Sequence, residues 1–251
     1  MVCFRLLVCG LVAFSLAAQP TVEDKRRLEE KLKAEKRAAE ILSVVSSGAG
    51  GSGALVADKP FSAEAVTETV QILSDGNRIE RRNAMKRYRD RSGRTRRNQI
   101  LETFGPASPV AAKEIVFISD PHANIEYVLD PSAKTVRKIS RLTTVMPRST
   151  LPESAEVKRE DLGKRVIEGL ECTGKRTILT IPAGRIGNLR PIVAVTEEWY
   201  SPAIEAIVQS TTRDPRFGET NYSLRNVRLV DQPAQLFEAP ADYRMESEGK
   251  F

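Results

Sequence analysis

The sequence predicts a mainly β, α+β protein, built as a strongly curved antiparallel sheet or open half-barrel with covering helices and an additional N-terminal helix. Short β-rich runs separated by turn residues follow Pro60 at intervals of about ten positions, a spacing typical of antiparallel hairpins. Three strand-like runs end on Asp-Pro, at Asp120, Asp130 and Asp214. A helix-forming stretch precedes them. At 251 residues and 41% hydrophobic, the chain can bury a core.

The first segment, residues 1–17, has the pattern of a secretory signal peptide. Arg5 precedes an apolar run from Leu6 to Leu16, and small residues at Ser15 and Ala17 suit cleavage after Ala17. The apolar run is about half the length that crosses a bilayer. We therefore expect an exported protein.

A charged helix is predicted over residues 18–45, followed by a Gly/Ser linker over 46–58. Leu28, Leu32, Ala39 and Leu42 form one narrow apolar stripe among charged residues. The helix could pack on the following domain, pair with a second copy of itself or act as a spacer. The remaining divisions are a curved antiparallel β domain over 59–245 and a tail over 246–251.

Within the β domain, tight hairpin turns are predicted at Ser74–Asn77 and Arg91–Arg94, because glycine accepts positive φ. We expect nine or ten strands, joined almost entirely by hairpins. Residues 146–160 are polar with two prolines and are interpreted as a long loop leading into a short helix. Such a sheet encloses a hollow if its concave side is covered.

The basic stretch between Arg78 and Arg97 has ten basic residues and only two acidic ones. One interpretation is a solvated hairpin whose charges block edge-to-edge aggregation; another is attraction to an anionic membrane surface. Nucleic acid is not expected as a partner, because the stretch lacks interleaved aromatic residues and the chain is exported. The candidates for anion contact are Arg87, Arg89, Arg91, Arg94, Arg96 and Arg97.

No catalytic or metal site is predicted, and no cofactor. His122 is the single histidine, and Cys172 is the one cysteine left after cleavage at Ala17, so a metal cluster or a Ser-His-Asp triad has too few members. Glu197 and Glu198 are neighbours on a strand and point to opposite faces. Cys172 itself is expected to be a small buried hydrophobe.

Several strands are apolar on both faces, which requires a second cover from a helix or a ligand. The candidates for lining a ligand cavity are Phe117, Tyr127, Leu129, Trp199 and Tyr200.

The segments YRDRSGRTRRNQ, VFISDPHANIEYVLDPSAKTVRK and EEWYSPAIEAIVQSTTRDPRFGETNYSLRNV and the ending LFEAPADYRM resemble exported bacterial proteins related to the outer-membrane lipoprotein carrier and sorting superfamily. The resemblance covers residues 60–245. It implies an open curved sheet around helices, with an apolar interior for acyl chains or a signalling partner.

The expected function is therefore that of a non-enzymatic exported protein, periplasmic or associated with the bacterial envelope. It is expected to bind a hydrophobic ligand, such as a lipid or a lipoprotein acyl chain, in a curved sheet. The alternative is a protein-interaction or sensor domain that dimerises through its N-terminal helix. Whether the chain forms a homo-oligomer is left open by the sequence.

Overall fold

The computed structural model describes residues 55–101, 113–140 and 156–246. All of them belong to one compact unit, Gly51–Phe251. The expected signal peptide, the N-terminal helix and most of the linker lie outside the described residues. Those assignments remain predictions.

The described residues form a single sheet of twelve strands. The strands are β1 (Phe61–Ile72), β2 (Arg78–Arg89), β3 (Thr95–Leu101), β4 (Lys113–Asp120), β5 (Ile125–Asp130), β6 (Thr135–Ser140), β7 (Glu156–Ile167), β8 (Leu170–Ile181), β9 (Ile192–Ser201), β10 (Ala206–Asp214), β11 (Gly218–Arg228) and β12 (Arg244–Glu246). Their spatial order is β12-β6-β5-β4-β3-β2-β1-β11-β10-β9-β8-β7.

The sheet consists of two consecutive meanders joined at one antiparallel seam. Strands β1 to β6 form the first, β7 to β11 form the second, and β1 pairs with β11. Strand β12 returns to pair in parallel with β6, so the sheet is mixed and not wholly antiparallel as predicted. Strands β7 and β12 are the two edges, and the sheet is therefore open. Irregular register in the β1–β11, β9–β10 and β7–β8 ladders bends the strands locally.

The three Asp-Pro dipeptides end strands β4, β5 and β10, as predicted. In each case an oxygen of the aspartate carboxylate accepts hydrogen bonds from backbone N–H groups of the turn that follows. The side chain thereby replaces strand partners that the chain loses as it reverses. The glycine turns at 74–77 and 91–94 also form tight hairpins as predicted.

Acidification is expected to destabilise the turn that Asp130 closes. Burial raises the pKa of this carboxyl group, but hydrogen bonds from Lys113 Nζ, the Ser132 side chain and the Ala133 N–H outweigh it and lower the pKa to about 2. Because the pKa is lower in the folded chain, the stabilisation is complete above the unfolded value of 3.8 and is lost as the pH falls toward 2. After allowance for solvent screening, the loss is about 1 kcal/mol.

Urea denaturation at a series of pH values, from about 5, above both pKa values, down to about 2, checks this expectation. The Asp130→Asn chain should lose less stability than the unmodified chain across that range. Asp120→Asn is the matched control, because it changes an equivalent turn carboxylate that accepts two backbone N–H groups. Equal pH dependence of the Asp130→Asn and unmodified chains would contradict the assignment.

Two sequence expectations are wrong in the second meander. Residues 156–160 begin strand β7 and do not form a short helix, while 146–155 lie outside the described residues. A further hairpin, at Glu168 and Gly169, separates β7 from β8 and adds to the predicted number of strands. Both turn residues have positive φ, 51° and 76°, as a two-residue hairpin requires. The structure thus has twelve strands where nine or ten were expected.

Two apolar clusters form the core of the described unit. The first gathers residues of β1, β2, β8, β10 and β11 and the β9–β10 turn, among them Phe61, Met85, Cys172, Ile204 and Leu224. The buried position of Cys172 confirms its expected role as a small hydrophobe. The second is built on β4, β5 and β6.

The C-terminal segment covers the second cluster. A one-turn 3₁₀ helix, η1 (Ala234–Phe237), places Phe237 among Val116, Ile118 and Leu129. It is the one helix among the described residues, so they do not contain the covering helices that were predicted. No helix of the described ranges is long and apolar enough to span a membrane.

Candidate functional site

Strand β4 buries side chains on both of its faces. Val116 and Ile118 belong to the cluster beneath η1, whereas Phe117 points to the opposite face and is also buried. The residues Ala65, Met85, Gln99 and Ile115 are successive cross-strand partners from β1 to β4, and they share that opposite face with Phe117. We refer to this set as the Phe117 face.

Gln99 is the polar member of the Phe117 face and is only 1% exposed. It lies between its partners Met85 and Ile115. The side-chain oxygen Oε1 is buried and accepts no hydrogen bond within the described part of the chain. A buried acceptor without a donor costs about 1–3 kcal/mol, so such a group calls for a partner.

Arg97 packs on Phe117 from the neighbouring strand. Its guanidinium carbon lies 4.1 Å from the centre of the Phe117 ring, and Nη2 lies 4.0 Å from Glu126 Oε1. Burial lowers the pKa of Arg97, and the Glu126 carboxylate opposes that effect. The cross-strand partner of Arg97 is Arg87, which donates a 2.9 Å hydrogen bond to the Tyr222 hydroxyl.

The structure does not bring the five cavity candidates together on one surface. Tyr127 and Leu129 lie on the face of β5 that packs against η1, opposite to Phe117. Trp199 and Tyr200 are consecutive residues of β9 in the other meander, where Trp199 packs on the first core cluster and Tyr200 is exposed. Of the five, Phe117 alone lies on the Phe117 face.

Trp199 occupies a tight position between strands. A Cβ on Gly174, its cross-strand partner, would lie 2.7 Å from the indole ring, so glycine is needed there for space. The guanidinium carbon of Arg165 stacks 3.7 Å from the ring centre. Trp199 is therefore packed between strands, and the Arg165 guanidinium covers one face of its ring in a cation–π contact.

The six arginines proposed for anion contact all interact within the chain. Arg89 is buried and donates to the carbonyl oxygens of Lys59 and Ile204. Arg96 donates to Leu236 O, and burial lowers its pKa. The others make the contacts Arg87 to Tyr222, Arg91 to Asp231, Arg94 to Asp90 and Arg97 to Phe117.

A small pocket of about 270 Å³ lies beside the β2–β3 turn. The turn residues Asp90, Arg91 and Arg94 line it together with Asp231 and Gln232 of the C-terminal segment. Both arginines are already paired with carboxylates there, at 2.7 Å and 2.6 Å. The pocket is therefore close to charge balance and offers no strong preference for an ion.

The described residues contain no group of three or more His, Cys, Asp or Glu side chains that could hold a metal ion. His122 Nε2 lies 2.8 Å from the Ser92 carbonyl oxygen, at the junction of the β2–β3 and β4–β5 turns.

Gln99 was not among the residues predicted from the sequence. It is a glutamine in the strand TRRNQIL, and only the strand register shows that it faces inward.

Comparison with known proteins identifies similar folds at low identity. No family model matches, and no curated protein matches. The MucA/MucB complex of Pseudomonas aeruginosa matches with 10% identity and a TM-score of 0.40, covering 74% of this chain and 58% of that chain. A LolA superfamily protein from Nitrosomonas europaea matches with 10% identity and a TM-score of 0.33, covering 73% and 91%.

LprF from Mycobacterium bovis matches with 12% identity and a TM-score of 0.34, covering 74% of this chain and 91% of that chain. A putative outer membrane lipoprotein-sorting protein domain from Vibrio parahaemolyticus also matches, with 11% identity and a TM-score of 0.28, covering 70% of this chain and 88% of that chain. This chain spans less than two thirds of the MucB structures.

Proposed function

We propose that this protein is an exported, non-enzymatic protein of the bacterial envelope that binds a hydrophobic ligand, a lipid or a lipoprotein acyl chain, on its sheet. The observation that carries the proposal is the Phe117 face, where Gln99 lies in register between Met85 and Ile115 and shares the face with Phe117. The Gln99 side-chain oxygen is buried there and has no hydrogen-bond donor in the described part of the chain. Such a surface suits an apolar chain attached to one hydrogen-bond donor.

The contacts that the described elements make with β3 and β4 support the same proposal. Among the described elements, the main contacts of β3 and β4 are with their neighbouring strands and η1, and η1 packs on the opposite face. Ala65 and Met85, at the β1–β2 end of the Phe117 face, pack in the first core cluster. A β-strand that is apolar on both faces needs cover on both. An acyl chain lying along Ile115 and Phe117 would gain about 25 cal/mol of binding free energy per Å² of apolar surface removed from water.

The ligand chemistry follows from the groups on this face. Gln99 Oε1 requires a donor, such as a hydroxyl or an amide N–H of the ligand. The proposal that the protein is exported depends on the signal-peptide pattern of residues 1–17. The proposed envelope location depends in turn on that export. The lack of an enzymatic role rests on the single histidine and the scarcity of partners for it.

Native mass spectrometry of the chain from residue 18, purified from a bacterial periplasm, should show a bound lipid. In solution, the chain should also take up a fluorescent fatty acid, and a long-chain fatty alcohol should displace that probe. A ligand-free spectrum together with no uptake of the probe would overturn the proposal and favour a protein-interaction domain.

Replacement of Gln99 by leucine separates ligand binding from folding. We expect affinity for the fatty alcohol to fall about five-fold, since one hydrogen bond is lost, and affinity for its methyl ether, which has no donor, to stay the same. The free energy of unfolding should stay unchanged or rise by about 1 kcal/mol, because an unpaired buried acceptor is removed. Fluorescence displacement and urea denaturation measure the two effects.

Asn98→Leu is the matched control, because Asn98 is the neighbouring residue on β3, lies on the opposite face and hydrogen-bonds Glu114 at 2.9 Å. It should leave the affinity for both probes unchanged. Deletion of residues 18–45 tests the other available cover, the predicted N-terminal helix. If that deletion speeds hydrogen exchange along β3 and still permits no probe uptake, the helix is the cover and the proposal fails.

A further inference from the structure

Three hairpin ends lie side by side where their strands reverse, along one end of the sheet and not along an edge strand. They are the β1–β2 turn (73–77), the β10–β11 turn (215–217) and the β8–β9 loop (182–191). The register places Val70 beside Glu219 and Arg213 beside Val195, so all three hairpins reverse at the same end. Because neighbouring strands are about 4.8 Å apart, successive hairpin ends are about 10 Å apart. We call this row the apolar hairpin edge.

Each of the three ends carries large apolar side chains in solvent. Leu189 in the β8–β9 loop is 96% exposed, and Phe217 in the β10–β11 turn is 67% exposed. Ile186 of the first loop and Ile72 beside the β1–β2 turn are also exposed. Single exposed apolar residues are ordinary, but a row of them on three adjacent hairpins marks a contact surface.

The β8–β9 loop holds Leu189 outward on a braced backbone. Asn188 Nδ2 donates to Pro182 O at 3.0 Å and to Arg190 O at 2.7 Å, and Asn188 Oδ1 accepts from Ile186 N at 3.2 Å. The backbone N–H of Gly184 closes the loop on Asn188 O at 2.7 Å. Because these hydrogen bonds fix the loop backbone, the backbone loses little conformational entropy when Leu189 contacts a partner.

The charge of the same loop indicates the kind of partner. Residues 182–191 include Arg185 and Arg190 and no acidic residue. Cations beside exposed leucine, isoleucine and phenylalanine are the pattern of segments that lie in the headgroup region of anionic membranes.

We propose that the apolar hairpin edge docks on the surface of an anionic lipid bilayer, with Leu189 and Phe217 inserted among the headgroups and Arg190 on lipid phosphates. Separate tips about 10 Å apart suit a bilayer, because each tip can be buried individually. A protein groove would instead require a continuous complementary patch. The proposal is independent of ligand binding on the Phe117 face.

Vesicle sedimentation of the chain from residue 18 tests the proposal, with vesicles of phosphatidylcholine alone or mixed with phosphatidylglycerol. We expect binding to the mixed vesicles, about ten-fold weaker for Leu189→Asp because the apolar contact is lost. Arg190→Gln should weaken binding about five-fold on the mixed vesicles and have no effect on neutral ones. Both residues are exposed, so circular dichroism should be unchanged.

Val166→Asp is the matched control. Val166 is 73% exposed and lies next to the β7–β8 turn, at the opposite end of the sheet. Its replacement should leave vesicle binding intact. Leu189→Trp adds a second readout: its fluorescence should shift to shorter wavelength with mixed vesicles, above the constant signal of Trp199.

Equal vesicle binding of the Leu189→Asp and unmodified chains would overturn the proposal, as would equal losses for Leu189→Asp and Val166→Asp. Sedimentation velocity without lipid examines the alternative of a second copy at this edge. If Leu189→Asp dissociates a dimer and leaves vesicle binding unaltered, the edge is a self-association surface and not a membrane contact.

Discussion

Replacing Gly218 with alanine is expected to lower the free energy of unfolding by about 3 kcal/mol. Gly218 begins β11 with φ at +93°, a conformation that costs a residue with a Cβ about 1–2 kcal/mol. A Cβ at this position would also overlap the carbonyl oxygen of Val70 and lie 3.1 Å from Gln71 Cα. Since those atoms belong to the backbone of β1, the seam between the two meanders would have to open.

Gly76→Ala is the matched control for this substitution. Gly76 has a similar φ of +82°, but nothing lies within 4 Å of the position that its Cβ would take. The control should lose only the conformational part, about 1 kcal/mol. Urea denaturation measures both chains, and equal losses would contradict the steric account of the seam.

Replacing Arg89 with methionine is expected to destabilise the fold by about 3 kcal/mol, although Arg89 lies in the most basic part of the chain. Its Nε donates at 2.9 Å to Lys59 O, and Nη2 donates to Ile204 O, so one side chain joins two distant segments. Its guanidinium carbon also stacks 4.8 Å from the centre of the Phe61 ring. Methionine fills similar volume but leaves both carbonyl groups unpaired.

Burial lowers the pKa of Arg89 to about 10, so the buried charge carries a desolvation cost that the two carbonyl hydrogen bonds offset. Arg82→Met is the matched control: Arg82 is exposed on the same strand and pairs with Glu68 at 3.3 Å. That change should alter stability by about 0.5 kcal/mol or less.

Thermal or urea denaturation of both variants, with vesicle binding measured in parallel, separates the two interpretations of the basic stretch. If Arg89 has a structural role, Arg89→Met should lose much of its stability, and the folded chain should bind vesicles as the unmodified chain does. Full stability with weakened vesicle binding would restore the interpretation of Arg89 as an anion contact.

The strands and turns were predictable because their signals are local. Asp130-Pro131 ends a strand, and the backbone N–H groups that the Asp130 carboxylate accepts belong to the adjacent residues Ser132 and Ala133. Gly76 and Gly93 adopt positive φ in tight hairpins. The hairpin at Glu168 and Gly169 was missed although its signal is also local. There a non-glycine residue takes the first positive φ, which weakens the pattern.

The candidate surface was predictable only in part, because the face of a strand residue depends on register. Phe117 and Leu129 are both apolar residues of neighbouring strands, yet the β4–β5 pairing of Val116 with Leu129 places them on opposite faces. A shift of one residue would reverse the assignment. Gln99 was invisible for the same reason, since its neighbours on the Phe117 face come from three other strands.

By itself, the sequence determined that the chain is a series of β-hairpins with strand-ending aspartates and a basic hairpin, because alternation, turn chemistry and charge are properties of a few adjacent residues. Only the tertiary structure decided that β1 pairs with β11 and that the Arg89 guanidinium is buried against Ile204. It also decided that Leu189 and Phe217 share one edge. Those outcomes depend on contacts between residues far apart in the chain, where burial and hydrogen bonding outweigh local preference.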